Sequence, residues 1–213
     1  MTIQENLQEI RQSLQKFDNP PTLIAVSKTK PNEAVQEAYD AGQRIFGENY
    51  VQELCDKVPA LPRDIEWHFI GHLQSNKSNM IAKLANDNYK IVVQTLDSAK
   101  LADKLNSQLK VKLDVMVEVH TSTESSKSGC SPSEVLALVD HIKSLPNLNF
   151  IGLMTIGDPN DPRSCFKQMK DLQEQTKGSL SMGMSGDYKE AVEFGTNFVR
   201  IGTAIFGHRE YKK

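Results

Sequence analysis

A lysine, an arginine and a group of small residues are spaced as an amine nucleophile beside an anion site would require. Lys28 follows directly on the apolar run at residues 22–27, TLIAVS. An amine held beside a phosphate site and partly stripped of water loses its proton more readily and can condense with an aldehyde. Ser185, Gly186, Gly202 and Thr203 close two further apolar segments near the other end of the chain. Small residues there leave backbone N–H groups open to an anion. An amine and an anion nest together suit a phosphorylated aldehyde, and pyridoxal 5′-phosphate (PLP) is the cofactor that carries both groups.

Each of these residues also has a plainer reading. A lysine just past a strand is commonly a solvated loop charge. Asn49 suits the N-cap of a helix. Arg200 suits an arginine at the core rim with an acidic partner, and glycines at strand ends are often only turns. His68 and His72 have the i, i+4 spacing of a metal pair. They straddle a strand and its loop, however, where that spacing gives no common face, so no metal site is expected.

The elements that must carry these residues follow a strict alternation. Ile3, Leu7, Ile10, Leu14 and Phe17 form one helical stripe, and Pro20-Pro21 stops it, so a helix is expected over residues 1–18. Eight strand candidates then alternate with helices: TLIAVS, RIFGEN, EWHFIG, YKIVVQT, VKLDVMVEV, NFIGLMT, SLSMGMS and NFVRIG. VKLDVMVEV is the longest. Asp97 is read as a helix cap, Ser131-Pro132-Ser133-Glu134 as a capping box, and Asp161 and Asp187 as helix starts. Strands alternating with helices require crossovers and hence a parallel sheet. Eight of them fit a closed (β/α)8 TIM barrel of the α/β class; an open doubly wound sheet is the alternative. Against that alternative, no G-x-G-x-x-G follows the first strand. In a barrel the strand C-termini converge on the active site, which is where Lys28, Asn49, Arg200 and the small residues fall.

The chain has 213 residues and a formal net charge of −2, with 38% hydrophobic and 24% charged residues. That suits one soluble globular domain and gives no electrostatic footprint for nucleic acid or an anionic membrane. Cys55, Cys130 and Cys165 form no C-x-x-C pair, which argues against a disulfide scaffold and for a reducing compartment. The N-terminal segment contains acidic residues and no continuous apolar stretch, so a cytoplasmic location is expected.

Six segments resemble, in order, the motifs of the pyridoxal phosphate homeostasis (YggS/PROSC-like) family. They are AVSKTKP, FGENYVQE, WHFIGHLQSNK, GLMTIG, SMGMSGDYKEA and VRIGTAIFG. The resemblance spans nearly the whole chain. It implies a single fold type III PLP-binding barrel over residues 1–213, similar to the N-terminal domain of alanine racemase. It also implies PLP held as a Schiff base on Lys28, with Arg200 near the pyridine nitrogen. Phosphate contacts are implied for Ser185, Gly202 and Thr203, and lining for Asn49, Ile70 and Met154. Arginine at the ring nitrogen disfavours ring protonation and weakens the ring as an electron sink. The loop after the fifth strand departs from the family's motif at His120 and Thr123, while Glu124, Lys127 and Gly129 agree with it. Gly71-His72-Leu73 varies at its middle residue.

The function expected from this resemblance is intracellular vitamin B6 homeostasis, as a PLP carrier or buffer without robust catalysis. PLP-dependent apoenzymes are the candidate recipients. A racemase-like enzyme is the alternative. Racemases of similar fold take a second acid/base group from an added domain and a partner subunit. The sequence ends at Lys213 with no such domain, which points to a monomer. Tyr50 or His120 would have to serve instead.

Overall fold

The computed structural model describes residues 1–123 and 128–207. Glu124 and Lys127 of the 121–129 loop lie outside the described residues, as does Lys213. Helix α1 (Ile3–Leu14) opens with a capping box in which Thr2 and Glu5 satisfy each other's backbone N–H groups. It buries Leu7, Ile10 and Leu14. It ends short of the expected residue 18: the chain tightens into i, i+3 bonds from Lys16 to Ser13 and from Phe17 to Leu14, so Phe17 leaves the stripe.

The alternation then runs β1 (Thr22–Val26), α2 (Asn32–Asp40), β2 (Ile45–Glu48), α3 (Val51–Lys57), β3 (Glu66–Phe69) and α4 (Ser78–Asn86). It continues β4 (Lys90–Leu96), α5 (Ala99–Gln108), β5 (Leu113–Glu118), α6 (Val135–Ser144), β6 (Leu148–Met154) and α7 (Pro162–Thr176). The last elements are β7 (Ser179–Ser181), α8 (Tyr188–Glu193), β8 (Phe198–Ile201) and the single turn α9 (Thr203–Phe206). Neighbouring strands pair in parallel and in sequence order, and β8 returns to β1 through four partners, Thr22–Phe198 to Ala25–Ile201. The sheet is therefore a closed (β/α)8 barrel, not an open one.

Several local expectations shift by a residue or two. Tyr50, not Asn49, occupies the N-cap of α3, with no side-chain cap bond. Ser98 rather than Asp97 caps α5, its hydroxyl accepting from Leu101 N. Strand β5 is not the longest, since β4 and β6 each have seven residues and β5 has six. Strand β7 keeps only three residues, because Gly183 at φ +96° turns the chain out of the extended region. The Ser131 capping box and the Asp161 cap form as expected.

Most of the core lies between the sheet and the helices, with Phe46, Trp67, Phe69 and Phe166 among its largest fully buried side chains. Helix α1 bridges the ring's closing seam. Arg11 donates to the Ala41 carbonyl at 2.8 Å, just past α2, while Asn6 Nδ2 donates to the Ile205 carbonyl of α9 at 2.8 Å. Ser13 Oγ also lies 2.9 Å from the hydroxyl of Tyr188 on α8.

Candidate functional site

At the C-terminal ends of the strands lies a cavity of about 370 Å³, within the usual range for small-ligand sites. Lys28, Asn49 and Ile70 line one side and Ser185, Arg200, Gly202 and Thr203 the other. With Gly186, which also lines it, eight of the nine residues named from the sequence thus share one cavity. Met154 does not line it: the residue is wholly buried at the end of β6, and Ile156, two residues on, lines the cavity instead. Val26, Lys30 and Met184 also line it without having been singled out. The strand period of two could have found Val26, which precedes Lys28 on the same face.

Lys28 sits in a tight turn after β1. Lys30 N–H donates to the Ser27 carbonyl at 3.1 Å, and Thr29 stands at φ +64°. Asn49 follows β2, and its Oδ1 is buried with no hydrogen-bond partner. The chain crosses Asn49 so closely that a Cβ on Gly71 would fall 1.9 Å from the Asn49 carbonyl oxygen, so only glycine fits there. Gly202 packs closely, though less tightly, on β1: a Cβ there would lie 3.1 Å from the Val26 carbonyl oxygen. The loop bearing Ser185 and Gly186 is closed by Asp187, whose Oδ1 accepts from Met184 N at 2.7 Å.

Arg200 is buried, and no acidic residue among the described ones forms an ion pair with it. Its Nη1 donates to Ser181 Oγ at 2.9 Å and its Nη2 to the Thr155 carbonyl at 2.8 Å. Desolvation pulls its pKa down to about 10, against the attraction of Asp187 and Glu118, and it stays charged at neutral pH.

From Ser181 a row of hydrogen bonds runs through the barrel interior. Ser181 Oγ donates to Gln94 Oε1 at 2.7 Å, joining β7 to β4, strands that are not neighbours in the ring. Gln94 Nε2 is 2.7 Å from His68 Nδ1, and His68 Nε2 is 2.7 Å from Glu66 Oε1. His68 is thus a satisfied interior group. His72 is exposed and faces Asp97 at 3.9 Å, and no cluster of metal ligands occurs among the described residues.

Two carboxyls lie buried at the ends of β2 and β5. Glu48 Oε1 accepts from Ser27 Oγ at 2.6 Å and from Lys57 Nζ at 2.7 Å, yet burial outweighs both and pushes its pKa up to about 7. Burial likewise lifts Glu118 to about 7; among the described residues its carboxyl accepts from Ser128 Oγ at 3.0 Å. Neither Tyr50 nor His120 lines the cavity, and the titratable side chains that do are Lys28, Lys30 and Arg200.

Comparison with known proteins gives the chain's family. Residues 1–210 match the family model described as alanine racemase, N-terminal domain. A pyridoxal phosphate homeostasis protein of Homo sapiens is 46% identical, over 91% of this chain and 78% of its own length. One of Pasteurella multocida is 43% identical over the full length of both chains. Among solved structures, PipY of Synechococcus elongatus with PLP bound superposes with a TM-score of 0.82 at 32% identity, over 97% of this chain and all of that one. Alanine racemase of Corynebacterium glutamicum shares the fold at 16% identity, with a TM-score of 0.77 over 97% of this chain and 61% of its own. By these matches over nearly its whole length, the chain belongs to the pyridoxal phosphate homeostasis protein family, built on the alanine racemase N-terminal domain.

Proposed function

We propose that this protein binds pyridoxal 5′-phosphate as a Schiff base on Lys28 and serves intracellular vitamin B6 homeostasis as a carrier or buffer. The observation that carries the reading is the convergence of Lys28, Arg200, Ser185, Gly202 and Thr203 on one cavity at the strand C-termini. The residues fit such a ligand. Asn49 Oδ1 is a buried acceptor that nothing among the described residues satisfies, and three cationic side chains face a space suited to an anion. PLP supplies an aldehyde with which an uncharged amine condenses, one water leaving as the C=N bond forms. In our reading Ser185, Gly202 and Thr203 hold the phosphate, Asn49 and Ile70 bound the ring, and Arg200 faces its nitrogen. A fixed cation at that nitrogen keeps it unprotonated, which suits holding the cofactor rather than drawing electrons into it.

The reading extends to PLP-dependent apoenzymes as recipients and to a cytoplasmic location. Three free cysteines support the latter. Among the described residues, no helix is long and apolar enough to cross a membrane.

The test is covalent trapping. Purified protein incubated with PLP and then reduced with borohydride should carry one stable adduct on Lys28, read by intact mass and peptide mapping. Lys28→Ala should carry none there. A wild type that gains no adduct on Lys28 overturns the proposal.

A further inference from the structure

A buried polar cluster lies behind the cavity and contributes nothing to its lining. Lys57, at the end of α3, is almost wholly buried and directs its ammonium at Glu48 Oε1 (2.7 Å), the Ser27 carbonyl (2.8 Å) and Glu53 Oε2 (3.3 Å). Glu48 Oε1 also takes the Ser27 hydroxyl at 2.6 Å, leaving Oε2 unpartnered. Glu53 Oε2 takes the backbone N–H of Thr29 at 2.8 Å. Three of these five bonds land on Ser27 and Thr29, the residues either side of Lys28, and the other two tie Lys57 to Glu48 and Glu53.

Stability alone does not explain such a cluster. Replacing a buried ion pair by apolar residues of similar volume is often neutral or stabilising. The turn it grips is itself unfavourable, because Thr29 is β-branched and stands at φ +64°. A conformation of that kind is strained for such a residue and persists only where its surroundings over-determine it.

We infer that Glu48, Lys57 and Glu53 are positioning residues for Lys28, clamping the peptide units on both sides of it so that its amine is presented to the cavity. The inference rests on the PLP reading above. The cluster acts through the backbone: Lys57 holds the Ser27 carbonyl, Glu48 the Ser27 hydroxyl, and Glu53 the Thr29 amide.

The experiment separates capture of the aldehyde from occupancy of the site. Trapping on Lys28 is timed with PLP and borohydride. Affinity is measured in parallel for pyridoxine 5′-phosphate, which has the ring and phosphate but no aldehyde. The double variant E48L/K57M removes both charges together. Its trapping rate should fall about tenfold or more, since small displacements of a reacting group cost that much, while analogue affinity is unchanged. Adding Thr29→Gly should restore much of the rate, because glycine adopts positive φ without restraint. Glu53→Ala, nearer the surface, should slow trapping without altering the fold, and decides the matter if the double variant does not fold.

Wild-type trapping rates in these variants, or equal loss of analogue binding, would overturn the inference. Absence of a Lys28 adduct in the wild type would instead overturn the PLP reading.

Discussion

Glu118 is almost fully buried with one oxygen unpartnered, so its charge carries a cost that depends on pH. Burial raises its pKa from the ordinary 4.5 to about 7, and the folded state therefore binds the proton more tightly than the unfolded chain. Its contribution to stability is fully present below about pH 4.5 and is lost as pH rises through about 7. Glu118→Gln, which cannot titrate, should flatten the fall in stability between pH 5 and pH 8 by up to about 3 kcal/mol. Urea midpoints at a series of pH values read this directly; an unchanged slope would show that Glu118 keeps an ordinary pKa. At this scale the sequence was informative about position but not depth. Lys28, Arg200 and the small residues stand at strand ends, where a barrel gathers them, and they do share the cavity. Met154 stands at a strand end too, but side-chain alternation tells only which face a residue takes, not how far below the rim it lies. Asn49 has the chemistry of a cap, and the cavity claims its side chain instead. The cluster around Lys57 left no local sign, since Lys57 and Ser27 are 30 residues apart.

The strands are short, and what binds several of them across the interior is polar. A barrel interior is usually filled by layers of branched apolar side chains. Here β8, β7, β4 and β3 are linked by Arg200, Ser181, Gln94 and His68, each donating to the next. Gln94→Leu would leave His68 Nδ1 without its partner and the Ser181 hydroxyl proton without its acceptor, while Ser181 Oγ still accepts from Arg200. It should cost about 2–4 kcal/mol, since each buried group left unsatisfied costs about 1–3. Denaturant unfolding measures this loss, and a value below about 1 kcal/mol would show that the row relaxes around the gap. The eight strands themselves were legible, because short apolar runs alternate with amphipathic helices whatever the long-range partners. The polar row was not: His68 and Gln94 are 26 residues apart and Gln94 and Ser181 are 87 apart, each inside a run that reads as apolar. The caps fell between these extremes. Asp97 and Ser98 are both competent, and pattern alone does not fix a helix start to one residue.

For the molecule as a whole, α1 works as a clasp over the seam between β1 and β8, reaching the end of α2 on one side and α8 and α9 on the other. Leu7, wholly buried on this helix, is its firmest anchor. Leu7→Ala should lower unfolding free energy by about 2–5 kcal/mol in a single cooperative transition. A separate early transition would instead make α1 an appendage to the ring. The cavity lies across the same seam. Val26, Lys28, Lys30, Asn49 and Ile70 line it from the early part of the sequence, the other lining residues run from Ile156 to Gly207, and none of the described residues between contributes. On a ribosome the lysine is therefore made long before the groups that complete its surroundings, and until β8 docks on β1 there is no enclosure to occupy. A molecule that fits the enclosure favours the docked ring by mass action, so cofactor supply and completion of the newborn barrel become one event.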